Sequence, residues 1–191
     1  MKKVKEILNH IFIDGLSGMA LGLFATLIVG TIITQAGSLI GGIAGHYLVI
    51  FGKLAQALTG AGIGVGVAYK YKESPLVTIS AAVAGLVGAF ASKIIAGTVL
   101  VDGVITLAGP GEPLGAFIAA FVAVTCGHIV SGKTKIDILI TPVTTILTGS
   151  IVGIIVGPPI SEFMIKLGEL INWGTAQQPL LMGIIVSVLM G

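Results

Sequence analysis

One run of residues, Ile138 to Ser161, constrains the fold of this chain more than any other feature. The run holds 24 residues without an Asp, Glu, Lys or Arg. With a rise of about 1.5 Å per residue, a helix of this length crosses a hydrocarbon layer of roughly 30 Å. Within the run Gly149, Gly153 and Gly157 recur every fourth residue. They share one helix face and let a second helix approach closely. The run therefore predicts a membrane-spanning helix that packs tightly against another span.

The composition extends this prediction to the whole chain. Charged residues make up 9% of the 191 residues and hydrophobic residues 55%, whereas a soluble domain usually has about 25% charged residues. Such a chain cannot cover itself with a solvated surface. It contains no arginine, which argues against a nucleic-acid interface. The single cysteine, Cys126, lies in an apolar run and excludes an internal disulfide. We predict an all-α, polytopic helical membrane protein.

Breaks between the apolar runs divide the chain into about five complete spans and an incomplete sixth, with re-entrant or interfacial segments between them. The predicted spans are 15–36, 43–69, 76–92, 114–131 and 138–161, followed by an apolar run at 180–191. That last run is too short to cross a bilayer. We therefore predict one transmembrane domain over residues 1–191, forming the N-terminal part of a longer protein. In the second span, Gly60 and Gly64 are the leading candidates to face the glycines of the fifth.

The first 14 residues predict a cytoplasmic segment. Lys2, Lys3 and Lys5 alternate with apolar residues at helical spacing, which is typical of an amphipathic helix on the membrane surface. A solvated basic tail is the alternative. With the N-terminus inside, the turns at 70–73 and 133–137 also lie inside, and these three places hold seven of the ten lysines. Because cytoplasmic loops are enriched in lysine, we predict a multi-pass protein with a cytoplasmic N-terminus.

The fifth span carries the leading candidate for binding a polar solute. Pro158 and Pro159 are expected to end the span, and Glu162 follows them closely. Carriers bind their solutes near broken helices, so Glu162, together with Pro158 at the break, is a predicted solute-binding residue. The alternative is a short interfacial helix over 160–173, in which Glu162 pairs with Lys166 four residues later.

Two further acids lie in a segment that the pattern leaves open. Residues 94–113 fit a span extension, a re-entrant hairpin or an extracytoplasmic loop. Asp102 is followed by glycine, and Glu112 lies within Gly-Pro-Gly-Glu-Pro. Irregular backbone at membrane depth is tolerated only where it is buried in protein or lines a cavity. Asp102 and Glu112 are therefore candidate solute-binding residues, with ordinary loop acids as the alternative.

One run matches a nucleotide-binding pattern. Residues 127–134 fit G-x-x-x-x-G-K-[ST] at every position. A phosphate-cradling loop, however, follows a buried strand and opens a helix, whereas here an apolar helix comes first. His128, inside this run, is a weaker candidate for hydrogen-bonding a solute. Apart from this run, the sequence has no catalytic signature, cofactor motif or metal-ligand spacing, so we predict no enzyme activity, no cofactor and no metal.

Three stretches resemble the membrane IIC component of bacterial phosphotransferase sugar systems. They are DGLSGMALGLFATLIVGTI from Asp14, GAGIGVGVAYK from Gly60 and TPVTTILTGSIVGIIVGPPIS from Thr141. More narrowly, they are similar to the branch labelled perfringolysin O regulator-like. The resemblance implies a location in the bacterial inner membrane. It also implies a re-entrant segment whose glutamate and histidine hold the sugar, and it matches Glu162 to the glutamate and His128 to the histidine.

The predicted function follows from these features together. The chain is expected to be a IIC-like permease that binds a sugar or similar polar solute between broken helices. A membrane-embedded sensor of the same fold, without transport, is the alternative. The expected partners are the lipid bilayer, a sugar, separate IIA and IIB proteins and further copies of the chain, and no nucleic acid. Because the sequence contains no IIA or IIB domain, its part in coupled phosphorylation stays open.

Overall fold

Most of the helices follow one another with short turns, and one longer connection carries a β-hairpin. The computed structural model describes residues 10–177 together with Gly183 and Ser187. Its α-helices are α1 (Leu16–Leu23), α2 (Val29–Ile40), α3 (Gly42–Ala57), α4 (Thr59–Lys70), α5 (Pro75–Ala89), α6 (Ala91–Ile95), α7 (Pro113–Val130) and α8 (Asp137–Gln177). Two π-helical segments, His10–Gly15 and Phe24–Ile28, lead into α1 and connect it to α2. Between α6 and α7, strands β1 (Leu100–Val101) and β2 (Val104–Ile105) pair antiparallel.

Three of these helical stretches are long and apolar enough to cross a membrane. They are Ile13–Ile40, Pro113–Val130 and Asp137–Trp173. Helices α3 and α4 meet at a bend of 54° and make a fourth span if they are taken together, while α5 is a shorter apolar helix. The predicted class, an all-α polytopic membrane protein, is confirmed. The predicted incomplete span at 180–191 lies outside the described residues apart from Gly183 and Ser187.

Glycines hold the first helices together. Helices α1 and α2 run antiparallel to α3 and α4, and glycines meet across the interface. A methyl group built on Gly18 would lie 2.7 Å from the carbonyl oxygen of Gly66, and one on Gly37 would lie 2.7 Å from that of Gly45. Since lipid offers little hydrophobic drive for association, this close backbone approach and its dispersion energy stabilise the pair.

The glycine face of α8 packs closely, as predicted. A methyl group on Gly149 would lie 2.7 Å from the carbonyl oxygen of Ala119 on α7. One on Gly153 would lie 3.0 Å from the Ala119 Cβ and 3.0 Å from the Gly88 Cα on α5. Helix α8 therefore fits into the groove between α5 and α7.

The predicted partner of this face was wrong. Gly60 and Gly64 of α4 pack against α5, where they oppose Gly85 and Ala81. Helix α5 has small residues on two faces, so it packs against α4 on one side and against α8 on the other. The spacing of glycines indicates that a face packs closely, but every glycine-rich helix offers such a face.

The expected helix end at Pro158 was also wrong. Helix α8 continues through Pro158 and Pro159 to Gln177, so residues 160–173 belong to the same helix. The two prolines remove two amide donors, which membrane helices tolerate where neighbouring groups compensate. Gly157 lacks the Cβ that clashes with a following proline ring, and Gly157 itself packs against Ala91.

The two ends of the bundle are distinguished by contacts between turns. The hydroxyl oxygens of Ser74 and Ser131 lie 2.9 Å apart, so the turn before α5 and the turn after α7 share one end. The β-hairpin and the loop at 106–112 follow the far ends of α5 and α6. Segment 94–113 therefore holds the end of α6, a short hairpin and a loop before α7, and no long helix extends a span through it.

The arrangement of the turns predicts from which side of the membrane a cysteine in each turn is labelled. Single cysteines replacing Lys72 and Lys135 should react with a membrane-impermeant maleimide from the same side, which the lysine distribution predicts to be the cytoplasm. A cysteine replacing Leu39, which is 87% exposed beside the turn between α2 and α3, should react only from the opposite side. Labelling of positions 72 and 135 from different sides would contradict the arrangement. The native Cys126 is replaced by alanine in all three variants.

Candidate solute-binding site

A cavity of about 370 Å³, lined by both polar and apolar groups, lies at the end of the bundle away from the Ser74–Ser131 contact. Its volume is near the lower limit of small-molecule sites, which run from about 300 to 1,000 Å³. The ends of α5 and α6, the loop before α7 and one residue of α8 build it. The lining residues are Ala89, Ser92, Lys93, Ala108, Gly109, Pro110, Gly111, Glu112 and Ser161.

The cavity forms where a helix breaks. Helix α5 ends at Ala89, and α6 begins again after Phe90. The amide of Glu112 donates a hydrogen bond to the carbonyl oxygen of Ala89 at 2.7 Å, which ties the loop to the helix end. Gly111 has φ of +73°, and a methyl group there would lie 2.7 Å from the same carbonyl oxygen. Glycine at position 111 is therefore required for the loop to lie this close to the break.

Glu112 is the acidic residue of this cavity. It precedes Pro113 at the start of α7. Its Oε1 atom is buried and has no hydrogen-bond partner among the described residues. Burial raises the pKa of the Glu112 carboxyl, and the amide of Leu114 partly offsets this effect. A buried polar atom without a partner costs about 1–3 kcal/mol. The Oε1 atom is closed to solvent in this structure, so a molecule in the cavity would reach it only after the Glu112 side chain turns towards the cavity.

Lys93 lines the same cavity without pairing with Glu112. Its Nζ donates a hydrogen bond to the carbonyl oxygen of Ala108 at 2.6 Å and lies 5.4 Å from the centre of the Phe90 ring. The lysine thus holds the loop at Ala108, while the Glu112 amide holds it at Ala89. Within residues 10–177 no cation lies within ion-pair distance of the Glu112 carboxyl.

Glu162 lies beside the cavity but does not line it. Its side chain is 69% exposed, and its Oε1 atom accepts a hydrogen bond from Lys166 at 2.7 Å. The sequence analysis gave this ion pair as the alternative to solute binding by Glu162. The neighbouring Ser161 does line the cavity. Pro158 lies half-buried within α8, three residues before Ser161.

Asp102 and His128 lie elsewhere. Asp102 occupies the turn of the β-hairpin with φ of +50°, and it is exposed. His128 lies near the end of α7 at the opposite end of the bundle, where its Nδ1 is 3.0 Å from Oε1 of Glu73. Of the five predicted residues, the structure therefore places only Glu112 among the cavity-lining residues.

Three polar residues of the cavity were not predicted as site residues. Lys93 and Ser92 close an apolar run, which is typical of a helix end at the membrane surface. Ser161 lies beyond two prolines that were expected to end its helix. Ser-Lys at a span end, followed shortly by a glycine-rich acidic loop, marks Ser92 and Lys93 as polar residues near an irregular segment. Nothing in the sequence places them, or Ser161, beside Glu112.

The run that matches the phosphate-binding pattern does not form a phosphate-binding loop. It begins on the last turn of α7, and its Gly132 amide donates to Oδ1 of Asp137 at 2.8 Å. The Asp137 carboxylate thus accepts the hydrogen bond of an amide that would have to bind phosphate. Across residues 10–177 there is also no group of three or more His, Cys, Asp and Glu residues that could hold a metal ion.

The structure is that of a multi-span helical membrane protein with a cavity beside a break between two helices. The family model described as phosphotransferase system, EIIC matches residues 13–191. The chain belongs to this family, which confirms the IIC resemblance. The narrower perfringolysin O regulator-like branch stays a prediction. No curated protein and no solved structure matches the chain.

Family membership gives the general role of the chain. EIIC proteins are the membrane components of sugar transport, and they transport rather than catalyse. Their general substrate is a sugar, and their general partners are IIA and IIB proteins. Together with the apolar helices, the family indicates a cell-membrane protein.

Proposed function

We propose that this EIIC component binds a free sugar in the cavity around Glu112. The observation that carries the proposal is the buried Oε1 atom of Glu112, which has no partner among the described residues. A sugar presents several hydroxyl donors, and hydrogen bonds to an ionised carboxylate are among the strongest that a neutral solute can make. When the Glu112 side chain turns towards the cavity, a sugar hydroxyl would supply the partner that this oxygen lacks.

The other polar groups of the cavity suit the same ligand. The hydroxyls of Ser92 and Ser161 each donate and accept hydrogen bonds, as sugar hydroxyls do. Lys93 keeps the loop in place through the Ala108 carbonyl. In this proposal Glu162 stabilises the surface of α8 through Lys166, and His128, Asp102 and Pro158 do not contact the sugar.

The lysine distribution indicates to which side of the membrane the cavity opens. With the N-terminus in the cytoplasm, the Ser74–Ser131 end faces the cytoplasm and the cavity opens to the outside. The sugar would then enter from outside. Separate IIA and IIB partners would act at the cytoplasmic end. Assembly of several copies of the chain stays a prediction.

Uptake and binding together separate a permease from a sensor. Vesicles containing the protein are tested with a panel of labelled hexoses, hexitols and disaccharides, and the purified protein is tested for a rise in melting temperature with each unlabelled sugar. We expect at least one sugar to show both effects. Stabilisation without uptake of any sugar would favour the sensor, and neither effect with any sugar would contradict sugar binding.

Sugar binding should weaken on acidification, starting at a pH above the ordinary titration range of glutamate. Burial raises the pKa of Glu112, so this carboxyl takes up its proton before an exposed one does and then loses its charged acceptor. For the same reason its contribution to stability falls as the pH rises from the ordinary pKa to the raised one. Sugar affinity is measured between about pH 4 and pH 8. Affinity that stays constant down to the ordinary pKa would contradict the role of the carboxylate.

A further inference from the structure

A second cavity, of about 380 Å³, lies on the outer surface where α1, α4 and α5 meet. Its lining is almost entirely apolar and consists of Leu21, Gly22, Ala25, Gly62, Val65, Gly66, Tyr69 and Thr78. The groove exists because glycines on α1 and α4 bring the two backbones together and leave no side chains between them. Leu21, Val65 and Tyr69 at its edges are exposed. Helices α1 and α4 belong to candidate spans, and α5 is a shorter apolar helix, so the groove lies where lipid chains can reach it.

The groove reaches the end of the bundle where lysines collect. Tyr69 is the residue before Lys70, the last residue of α4, and Lys72 follows in the turn. Lys133 and Lys135 lie in the turn that contacts this one through Ser74 and Ser131. All four lysines are exposed, and among the described residues none forms an ion pair.

The acids at this end are engaged with other groups. Glu73 lies against His128, and Asp137 accepts hydrogen bonds from Gly132 and Thr141. Asp14 also interacts with another group of the chain. The acids keep their negative charges, but the four lysines outnumber the three acids at this end and none of the four forms an ion pair among the described residues. Lysines next to the Tyr69 end of an apolar groove complement a phospholipid with a negative headgroup.

We propose that the groove binds one acyl chain of an anionic phospholipid, whose phosphate contacts Lys70 and Lys72. A zwitterionic lipid has the same chains but lacks net charge, so the lysines select the headgroup. Near a membrane surface each lysine strengthens the binding of an anionic lipid by roughly fivefold. Tyr69, with an apolar ring and a polar hydroxyl, suits the boundary between chain and headgroup.

Native mass spectrometry tests the proposal on the purified full chain. The protein is offered phosphatidylglycerol and phosphatidylcholine with identical acyl chains. We expect preferential retention of phosphatidylglycerol, roughly fivefold for each lysine engaged. Lys70→Gln with Lys72→Gln should remove the preference. Ala25→Trp, which fills the groove without changing a charge, should reduce the retention of both lipids.

Matched variants show whether lipid retention depends on the groove and its lysines, and a soluble competitor distinguishes a lipid site from a free-phosphate site. Lys166→Gln removes a lysine away from the groove, and Ile32→Trp adds a ring on exposed α2; both should bind as the wild type does. Free glycerol phosphate should not displace the lipid. Equal retention of the two lipids by the wild type, or a preference that survives the double lysine variant, would overturn the proposal. Displacement by glycerol phosphate would overturn it in favour of a free-phosphate site.

Discussion

Replacing Gly153 by leucine should sharply lower the melting temperature of the detergent-solubilised protein. A methyl group at this position would already lie 3.0 Å from Ala119 on α7 and 3.0 Å from Gly88 on α5. A leucine side chain must therefore push α8 away from both helices. Inserting side-chain atoms into a well-packed interior costs about 1–3 kcal/mol, and occasionally more. Because Ser161 lies on the same helix, sugar affinity should fall as well.

Gly168→Leu is the matched control for this change. Gly168 lies on the same helix, and a methyl group there meets nothing within 4 Å. Both substitutions gain the same intrinsic helix propensity, about 1 kcal/mol relative to glycine, so the difference between them reports packing alone. Equal melting temperatures of the two variants would show that the glycine face of α8 does not pack in the membrane protein as described.

Replacing Glu112 by glutamine should lower sugar affinity by roughly tenfold to hundredfold, the equivalent of losing a hydrogen bond to a charged group. The amide keeps the size of the side chain and removes the charge that burial disfavours. The melting temperature without sugar should therefore stay the same or rise at neutral pH. Loss of affinity with unchanged stability separates a binding role from a structural one, and both are measured by sugar-dependent thermal shift.

Glu162→Gln is the control for Glu112→Gln. It removes an exposed ion pair with Lys166, which contributes about 0–1 kcal/mol, and should leave sugar affinity unchanged. The opposite pattern, in which Glu162→Gln abolishes binding and Glu112→Gln does not, would place the sugar site on α8. That outcome would agree with the match of Glu162 that the family resemblance implies.

The membrane class and the main helices could be predicted from the sequence because one strong constraint determines both. A bilayer requires about 20 apolar residues for each crossing, so charge-free runs such as 138–161 are visible without knowledge of their partners. Close packing of the glycine face of α8 could also be predicted, because small residues at four-residue spacing share one face of a helix.

The neighbours of each helix could not be predicted in this way. Glycine faces on α4, α5 and α8 have the same local pattern, and only the packed bundle determines that α5 lies between the other two. The course of α8 through Pro158 was missed because proline propensity was applied without its context. A preceding glycine and neighbouring helices allow the helix to continue.

Only part of the candidate site could be predicted from the sequence, because some of its residues are brought together by helix packing. Glu112 could be identified from its glycine- and proline-rich surroundings, which indicate irregular backbone near the membrane. Lys93 and Ser161, in contrast, are 19 and 49 residues away from Glu112 along the chain. They join it only because α5 breaks at Phe90 and α8 continues past Pro159. Both features depend on tertiary contacts that no local pattern contains.

Protection of a cysteine in the cavity tests the sugar-binding site most directly. Ser161→Cys, in a chain whose Cys126 is replaced by alanine, places one thiol among the cavity-lining residues without changing any charge. A membrane-impermeant maleimide should label it from the outside only, and a sugar that raises the melting temperature should slow that labelling severalfold. The same sugar should not protect a cysteine replacing Gly168. Labelling of the Ser161→Cys thiol at the same rate with and without that sugar, or only from the cytoplasmic side, would contradict an outward-facing sugar site at Glu112.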